Sequence, residues 1–200
     1  MLERGRIYVD KVTDPSGSAQ LFEFDPSWGA NFSLDDGDAP HHSGLLVPGG
    51  YSVAEVNLPA GWSQTSATCT DGSDPAAIGL GAGETITCVF SNMLSRGRIY
   101  VDKVTDPSGS AQLFEFDPSW GANFSLADGD PSHDSGALLP GTYSVAEVNL
   151  PAGWSLTGAT CSDGSDPASI DLAAGEVVTC TFNDRLARGH IVVDKVTDPA

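Results

Sequence analysis

Residues Arg4–Leu34, RGRIYVDKVTDPSGSAQLFEFDPSWGANFSL, recur without a change as Arg96–Leu126. That stretch decides the fold. Ile7, Val9 and Lys11 alternate with Tyr8, Asp10 and Val12, the period of two that puts one face of a strand inward. Leu21-Phe22-Glu23-Phe24 is a second β-type run ended by Asp25-Pro26, and Asn31–Leu34 is a third, leading into a turn at Asp35-Asp36-Gly37-Asp38. Further along, Tyr51–Val56 alternates after Pro48-Gly49-Gly50, and Glu84–Phe90 closes the pattern. Turn signals every ~8–12 residues and no helical period predict an all-β chain of Greek-key β-sandwiches.

The repeat extends beyond its first stretch. Tyr51–Ser63 (YSVAEVNLPAGWS) returns as Tyr143–Ser155, and Cys69 and Cys88 return as Cys161 and Cys180. The expected organisation is therefore one sandwich over 4–95, a second over 96–187, and in 188–200 (RGHIVVDKVTDPA) the first strand of an incomplete third repeat. Solenoid repeats run only ~20–50 residues, so this longer period fits tandem independent beads. The joint Asn92-Met93-Leu94-Ser95 runs straight into Arg96-Gly97, and so short a connection predicts a stiff rod. Three first strands against two bodies leave one surplus. If each packs with the body after it, the C-terminal copy with Ile191, Val192 and Val193 is the orphan; if each packs with the body before it, the N-terminal copy is. An unpaired apolar strand needs a partner, either the next bead or, as a donor strand, another copy of the chain.

The net charge of -18 argues against nucleic acid, which needs clustered Lys and Arg, and against an anionic membrane surface. No stretch approaches the ~18 apolar residues of a membrane span. Met1–Arg4 carries no apolar core of a signal peptide, so the chain reads as intracellular or as the mature piece of something longer. Two cysteines per unit at one spacing predict the disulfides Cys69–Cys88 and Cys161–Cys180, with buried thiols or a metal pair as alternatives. Disulfides place the chain in an oxidising, extracellular setting. No Ser-His-Asp, phosphate-binding or dinucleotide pattern is present, so no enzyme is expected.

The lysines are the most informative residues. All three in the chain, Lys11, Lys103 and Lys195, stand in VDKVTDP at one register of the repeat. Lys11 shares a face with Ile7 and Val9, Glu55 with Tyr51 and Val53, and Asn92 with Cys88 and Phe90. If those apolar sets form the core, Lys11, Glu55 and Asn92 all point inward, and so do Lys103, Glu147 and Asp184 in the second unit. Asn183, one position earlier, points outward. Burial lowers a lysine pKa and raises that of a glutamate. A neutral amine could then attack the side-chain carbonyl of Asn92 or Asp184, polarised by a protonated glutamate, and leave an isopeptide crosslink. The alternative is a buried Lys–Glu ion pair or a solvated lysine.

These features resemble the prealbumin-like (SpaA-type, Cna B-type) domains of bacterial surface proteins and pilins, a fold related in architecture to the immunoglobulin sandwich. The resemblance rests on the lysine-bearing first strand, the Pro-Gly turn into YSVAEVNLPAGW, and a last strand ending in Asn or Asp. It implies that Lys11 joins Asn92 with Glu55 assisting, and that Lys103 joins Asp184 with Glu147 assisting. The cysteine pair departs from the pattern.

Other candidates are weaker. Asp36, Asp38, Asp128 and Asp130 lie in acidic loops that could hold calcium, although Asp-Gly is also a common hairpin turn. Trp28, Trp62, Trp120 and Trp154 could offer a sugar-stacking platform or cover a core edge. His41-His42 has His133-Asp134 as its counterpart, which argues against a shared metal site. Leu139–Tyr143 (LPGTY) approaches a sortase signal but sits inside a domain and reads as a turn. The leading expectation is an extracellular stalk or head-to-tail filament of stapled beads whose partners are copies of itself. An adhesin with calcium- or glycan-binding loops and a transthyretin-like carrier or enzyme are the alternatives.

Overall fold

The computed structural model describes residues 3–196 and divides into two compact units, Met1–Ser95 and Arg96–Ala200. The first holds β1 (Arg6–Asp14), β2 (Phe22–Pro26), β3 (Phe32–Leu34), β4 (His41–His42), β5 (Gly49–Tyr51), β6 (Val53–Val56), β7 (Trp62–Cys69), β8 (Ile78–Leu80) and β9 (Thr85–Leu94). The second repeats them as β10 (Arg98–Asp106), β11 (Phe114–Pro118), β12 (Phe124–Leu126), β13 (His133–Asp134), β14 (Gly141–Tyr143), β15 (Val145–Val148), β16 (Trp154–Cys161), β17 (Ile170–Leu172) and β18 (Val177–Leu186).

In each unit one layer is a four-stranded sheet, β4-β1-β9-β7 or β13-β10-β18-β16. The other layer is made of a three-stranded and a two-stranded sheet, β3-β2-β6 with β5-β8 and β12-β11-β15 with β14-β17. Alternation along β1 buries Ile7 and Val9, which meet Phe22 and Phe24 of β2 and Ile86, Cys88 and Phe90 of β9 in one apolar cluster between the layers. Phe24 meets the edge of Phe90 with ring centroids 5.1 Å apart. The second unit builds the same core from Ile99, Val101, Phe114, Phe116, Cys180 and Phe182.

The first and last strands of each unit are parallel neighbours, Arg6 opposite Thr85 through Asp14 opposite Met93, and likewise β10 with β18. Parallel strands need a long crossover, and here the crossover is the whole body of the unit. The first strand thus packs with the body that follows it. Residues 188–196 belong to no strand, and Ile191, Val192 and Val193 are 91%, 83% and 87% exposed. The remainder of the third copy, 197–200, lies outside the described residues.

Two local readings need correction. Tyr51–Val56 is not one strand. The chain changes sheets at Ser52, with Tyr51 opposite Ile78 and Val53 opposite Pro26. The switch is pinned by Ser27, whose N–H donates to the Ser52 carbonyl and whose hydroxyl accepts from the Ser52 N–H. The closing strand also runs past Phe90 to Leu94, which brings Asn92 inside it. β7 gave no apolar alternation because four successive residues, Ser63–Ser66, face solvent.

Both disulfides are present, Cys69–Cys88 and Cys161–Cys180. Each joins residues directly opposite one another on the last strand and its antiparallel neighbour, and all four cysteines are buried in the cores. The free-thiol and metal-pair alternatives are thereby set aside.

Candidate functional site

The strand pairing that builds the core also assembles a polar cluster inside it. Lys11 on β1 lies opposite Phe90, and Asn92 is two residues further along β9 on the same face. Glu55 comes from β6 in the facing layer. Lys11 and Asn92 are each only 2% exposed, and the side chains of Lys11 and Glu55 are wholly sealed. Lys11 Nζ lies 3.4 Å from Glu55 Oε1 and donates to the carbonyls of Phe90 at 3.3 Å and Val12 at 3.2 Å. It also sits 4.1 Å from the centre of the Phe22 ring, within range of a cation–π attraction.

The second unit repeats the cluster with one chemical change. Lys103 Nζ is 3.3 Å from Glu147 Oε1 and 3.4 Å from Asp184 Oδ1, all three side chains sealed. The amine donates to the carbonyls of Phe182 and Val104 and lies 4.2 Å from the Phe114 ring centre. Asn183 is on the opposite face, half-buried. The structure therefore brings Lys11 to Glu55 and Lys103 to Glu147 and Asp184, and buries Asn92 on the same face of β9 as Phe90. The carbonyl pair and the aromatic lid were not anticipated. A main-chain carbonyl leaves no mark in sequence, and Phe22 reads only as core.

The electrostatics are those of charges out of water. Burial pulls the Lys11 amine below the ordinary lysine range, against the opposing pull of Glu55. Burial pushes Glu147 up to about 7; Lys103 opposes this, and the neighbouring Asp184 carboxylate adds to it. Among the described residues, neither carboxyl oxygen of Glu55, Glu147 or Asp184 accepts a hydrogen bond, and both polar atoms of the Asn92 amide are unpartnered. Unsatisfied polar groups in a core are costly and rare. Each amine is ion-paired with a sealed carboxyl that lacks a hydrogen bond, and in the second unit with two.

The loop candidates are otherwise engaged. Asp36 accepts from the Gly17 N–H and the Thr13 hydroxyl, and Asp128 from Gly109 and Thr105. Asp38 and Asp130 accept from the N–H of Asp35 and Ala127. These carboxylates fasten their own turns, and among the described residues no three His, Cys, Asp or Glu side chains are placed to hold a metal ion. The tryptophans cover core edges: Trp62 meets Phe22 edge-on, Trp28 meets Tyr51, and Trp154 and Trp120 do the same with Phe114 and Tyr143. His41 and His133 stack on Phe32 and Phe124 at 3.7 and 3.6 Å. In the LPGTY stretch, Gly141–Tyr143 is β14, and the Tyr143 hydroxyl donates back to the Leu139 carbonyl.

Residues 99–186 match the family model described as a prealbumin-like fold domain. The second unit thus has the prealbumin-like fold. Its strand order and core recur in the first unit, which shares the prealbumin-like fold. Among solved structures, the chain is similar to the Bacillus anthracis TIE protein, with 21% identity and a TM-score of 0.61 over 92% of this chain and 34% of that one. It thus spans about a third of that protein's length. It is also similar to a C-terminal fragment of the pilus adhesin SpaC from Lactobacillus rhamnosus GG, with 12% identity and a TM-score of 0.52 over 96% of this chain and all of the fragment. No curated protein sequence matches the chain. Among the described residues, no helix is long and apolar enough to cross a membrane.

Proposed function

We propose that the chain is a structural, non-enzymatic part of a bacterial cell-surface stalk or filament, and that each prealbumin-like bead staples itself with an isopeptide bond. Lys11 joins Asn92 with Glu55 assisting, and Lys103 joins Asp184 with Glu147 assisting. The observation that carries this reading is the sealed Lys–Glu pair present in both units, beside a buried Asn92 or Asp184, with none of these carboxyl and amide groups hydrogen-bonded. The bond would tie β1 to β9, the strands through which the chain enters and leaves a bead. Tension along the chain would then pass through one covalent link and bypass the rest of the fold. The disulfide beside it ties β9 to β7. Repetition of near-identical beads favours length over a divergent binding surface.

End-to-end assembly belongs to the same reading. Residues 188–196 present Ile191 and Val193 at the register where Ile7 and Val9 are core. As a first strand, the segment would dock beside the last strand of a further bead, in the same chain or another. Intact-mass measurement tests the staples: the expected result is a loss of about 17 Da as ammonia from the first unit and about 18 Da as water from the second, beyond the disulfides. Finding the unmodified mass in both units would remove the isopeptide reading.

A further inference from the structure

The two clusters differ at one atom set. Asn92 and Asp184 occupy equivalent positions, each two residues beyond the phenylalanine opposite the lysine. With Lys11 protonated and Glu55 ionised, the first cluster is neutral. With Lys103 protonated and both acids ionised, the second carries a net negative charge in a sealed apolar site, where charge is most costly. Glu147 and Asp184 meet one amine at 3.3 and 3.4 Å, and their four oxygens lack a hydrogen bond. Two carboxylates can only accept; a hydrogen bond between them requires a proton on one.

We infer that the two beads perform different condensations: the second must take up one proton from solvent before its crosslink can close, and the first needs none. This rests on the proposed stapling. In the first unit, the Lys11 ammonium gives a proton to the Glu55 carboxylate, and the neutral amine attacks the Asn92 amide carbon. The C–N bond to the Asn92 amide nitrogen breaks, ammonia leaves, and Glu55 ends protonated. In the second unit, the proton taken up resides on Glu147 and passes to Asp184, making its carboxyl a competent electrophile. Lys103 returns a proton to Glu147 and attacks, and a C–O bond breaks to release water. Glu147 again ends protonated.

The charged groups around Glu147 are few. Lys103 of β10 and Asp184 of β18 face it directly, and Asp128, in the loop after β12, acts on Lys103 from the strand end. β11 presents the Phe114 and Phe116 rings to the core, while its Glu115 points outward to Asn123 and Asn149. No cation other than Lys103 is among these groups to replace the missing proton.

The test is to synthesise the full chain in a cell-free system under oxidising conditions at about pH 6 and about pH 8.5, and to follow each bond by peptide mass mapping. The first unit's rate is expected to change by less than about twofold. The second unit's rate is expected to fall about tenfold per pH unit above a midpoint near 7. Asn92→Asp should confer this dependence on the first unit, and Asp184→Asn should abolish it in the second. Identical pH profiles in the two units, or a dependence that stays with the unit when the acceptors are exchanged, would overturn the inference while leaving the stapling intact. Absence of both bonds at every pH would overturn both.

Discussion

Lys11 on the first strand donates to the main-chain carbonyl of Phe90 on the last strand, 3.3 Å away. The amine is thus held by backbone that cannot move without unzipping the sheet, while Glu55 meets it from the facing layer at 3.4 Å. Held from both layers, the lysine is a core residue and, in the proposed stapling, the attacking one.

Removing that amine separates the two roles. Lys11→Met removes the proposed crosslink and leaves Glu55 sealed without a cation; a broken buried pair by itself costs about 3–5 kcal/mol. At about 4–8 °C per kcal/mol for a domain of this size, the first unit's melting midpoint should drop by more than about 10 °C. The second unit's mass loss and midpoint should not change. The double variant Lys11→Met/Glu55→Leu should recover the part of the loss that comes from the stranded carboxyl, without restoring the crosslink. Calorimetry with intact-mass analysis checks both outcomes, and an unshifted first unit would show that the pair contributes nothing.

The disulfides act on a different strand pair. Cys69 and Cys88 close a loop of 19 residues between β7 and β9, which stabilises by about 3 kcal/mol in the chain-entropy model. Replacing both by alanine should lower the first unit's midpoint by roughly 12–24 °C. It should leave the isopeptide yield of that unit unchanged, because Lys11 and Glu55 are positioned by β1 and β6, and the parallel pairing of β9 with β1 holds Asn92 without the disulfide. A lost crosslink in this variant would mean that β7 helps to hold Asn92 in place.

Much of this was legible in the residues. Period-two alternation put Lys11, Glu55 and Asn92 on inward faces because a strand offers only two. The identical copies fixed the repeat without any structural argument. What escaped was whatever depends on strand neighbours. The change of sheet at Ser52 is enforced by Ser27, 25 residues away. The parallel pairing of β1 with β9 joins the two ends of the unit. β7, polar along most of its length, has no apolar pattern to read. The acidic loops hide a related feature: Asp36 and Asp128 fasten turns through backbone N–H groups that composition does not reveal.

One of those loops gives a direct test against calcium. Asp128 is held below the usual carboxylate range chiefly by the Gly109 N–H, with Thr105 adding to the effect. Its contribution is therefore present above the unfolded pKa and lost as the pH falls through the folded one. Asp128→Ala should destabilise the second unit by about 1 kcal/mol for each hydrogen bond removed. Millimolar calcium should leave the melting midpoints of both proteins where they were. A calcium-dependent rise in the parent chain, absent from the variant, would reinstate the loop as a cation site.

Gly97 tests the close approach of backbones where the second unit begins. Its N–H donates to the Leu138 carbonyl, and its carbonyl accepts from Leu138. A Cβ there would lie 2.8 Å from the Glu176 carbonyl oxygen and 2.9 Å from Leu172 Cγ. Neither the backbone carbonyl nor a core leucine can yield cheaply. Gly97→Ala is expected to cost about 1–3 kcal/mol through overpacking, visible as a lower urea midpoint for the second unit. Gly121→Ala, where a Cβ meets nothing within 4 Å, is the control and should be near neutral.

The last prediction concerns the second unit before Lys103 and Asp184 are joined, where burial raises the Glu147 pKa from 4.5 to about 7. In the unfolded chain this carboxyl loses its proton near 4.5, whereas the folded unit keeps it to about 7. Between those values the native state binds more protons than the unfolded state, so stability falls as the pH rises. The contribution is complete below about 4.5 and gone above about 7. At 1.36 kcal/mol per pKa unit it amounts to a few kcal/mol. The surface aspartates with lowered pKa values push in the opposite direction over the acid range, so the slope of one protein alone does not isolate Glu147. The difference between the parent chain and Glu147→Gln does. Glutamine keeps the shape and cannot titrate, so the second unit of the variant should lose the downward slope between about pH 5 and 7 while the first unit retains its own profile. Equal slopes in the two proteins, measured by urea unfolding across that range, would mean that Glu147 is ionised in the folded state and that Lys103 alone compensates it.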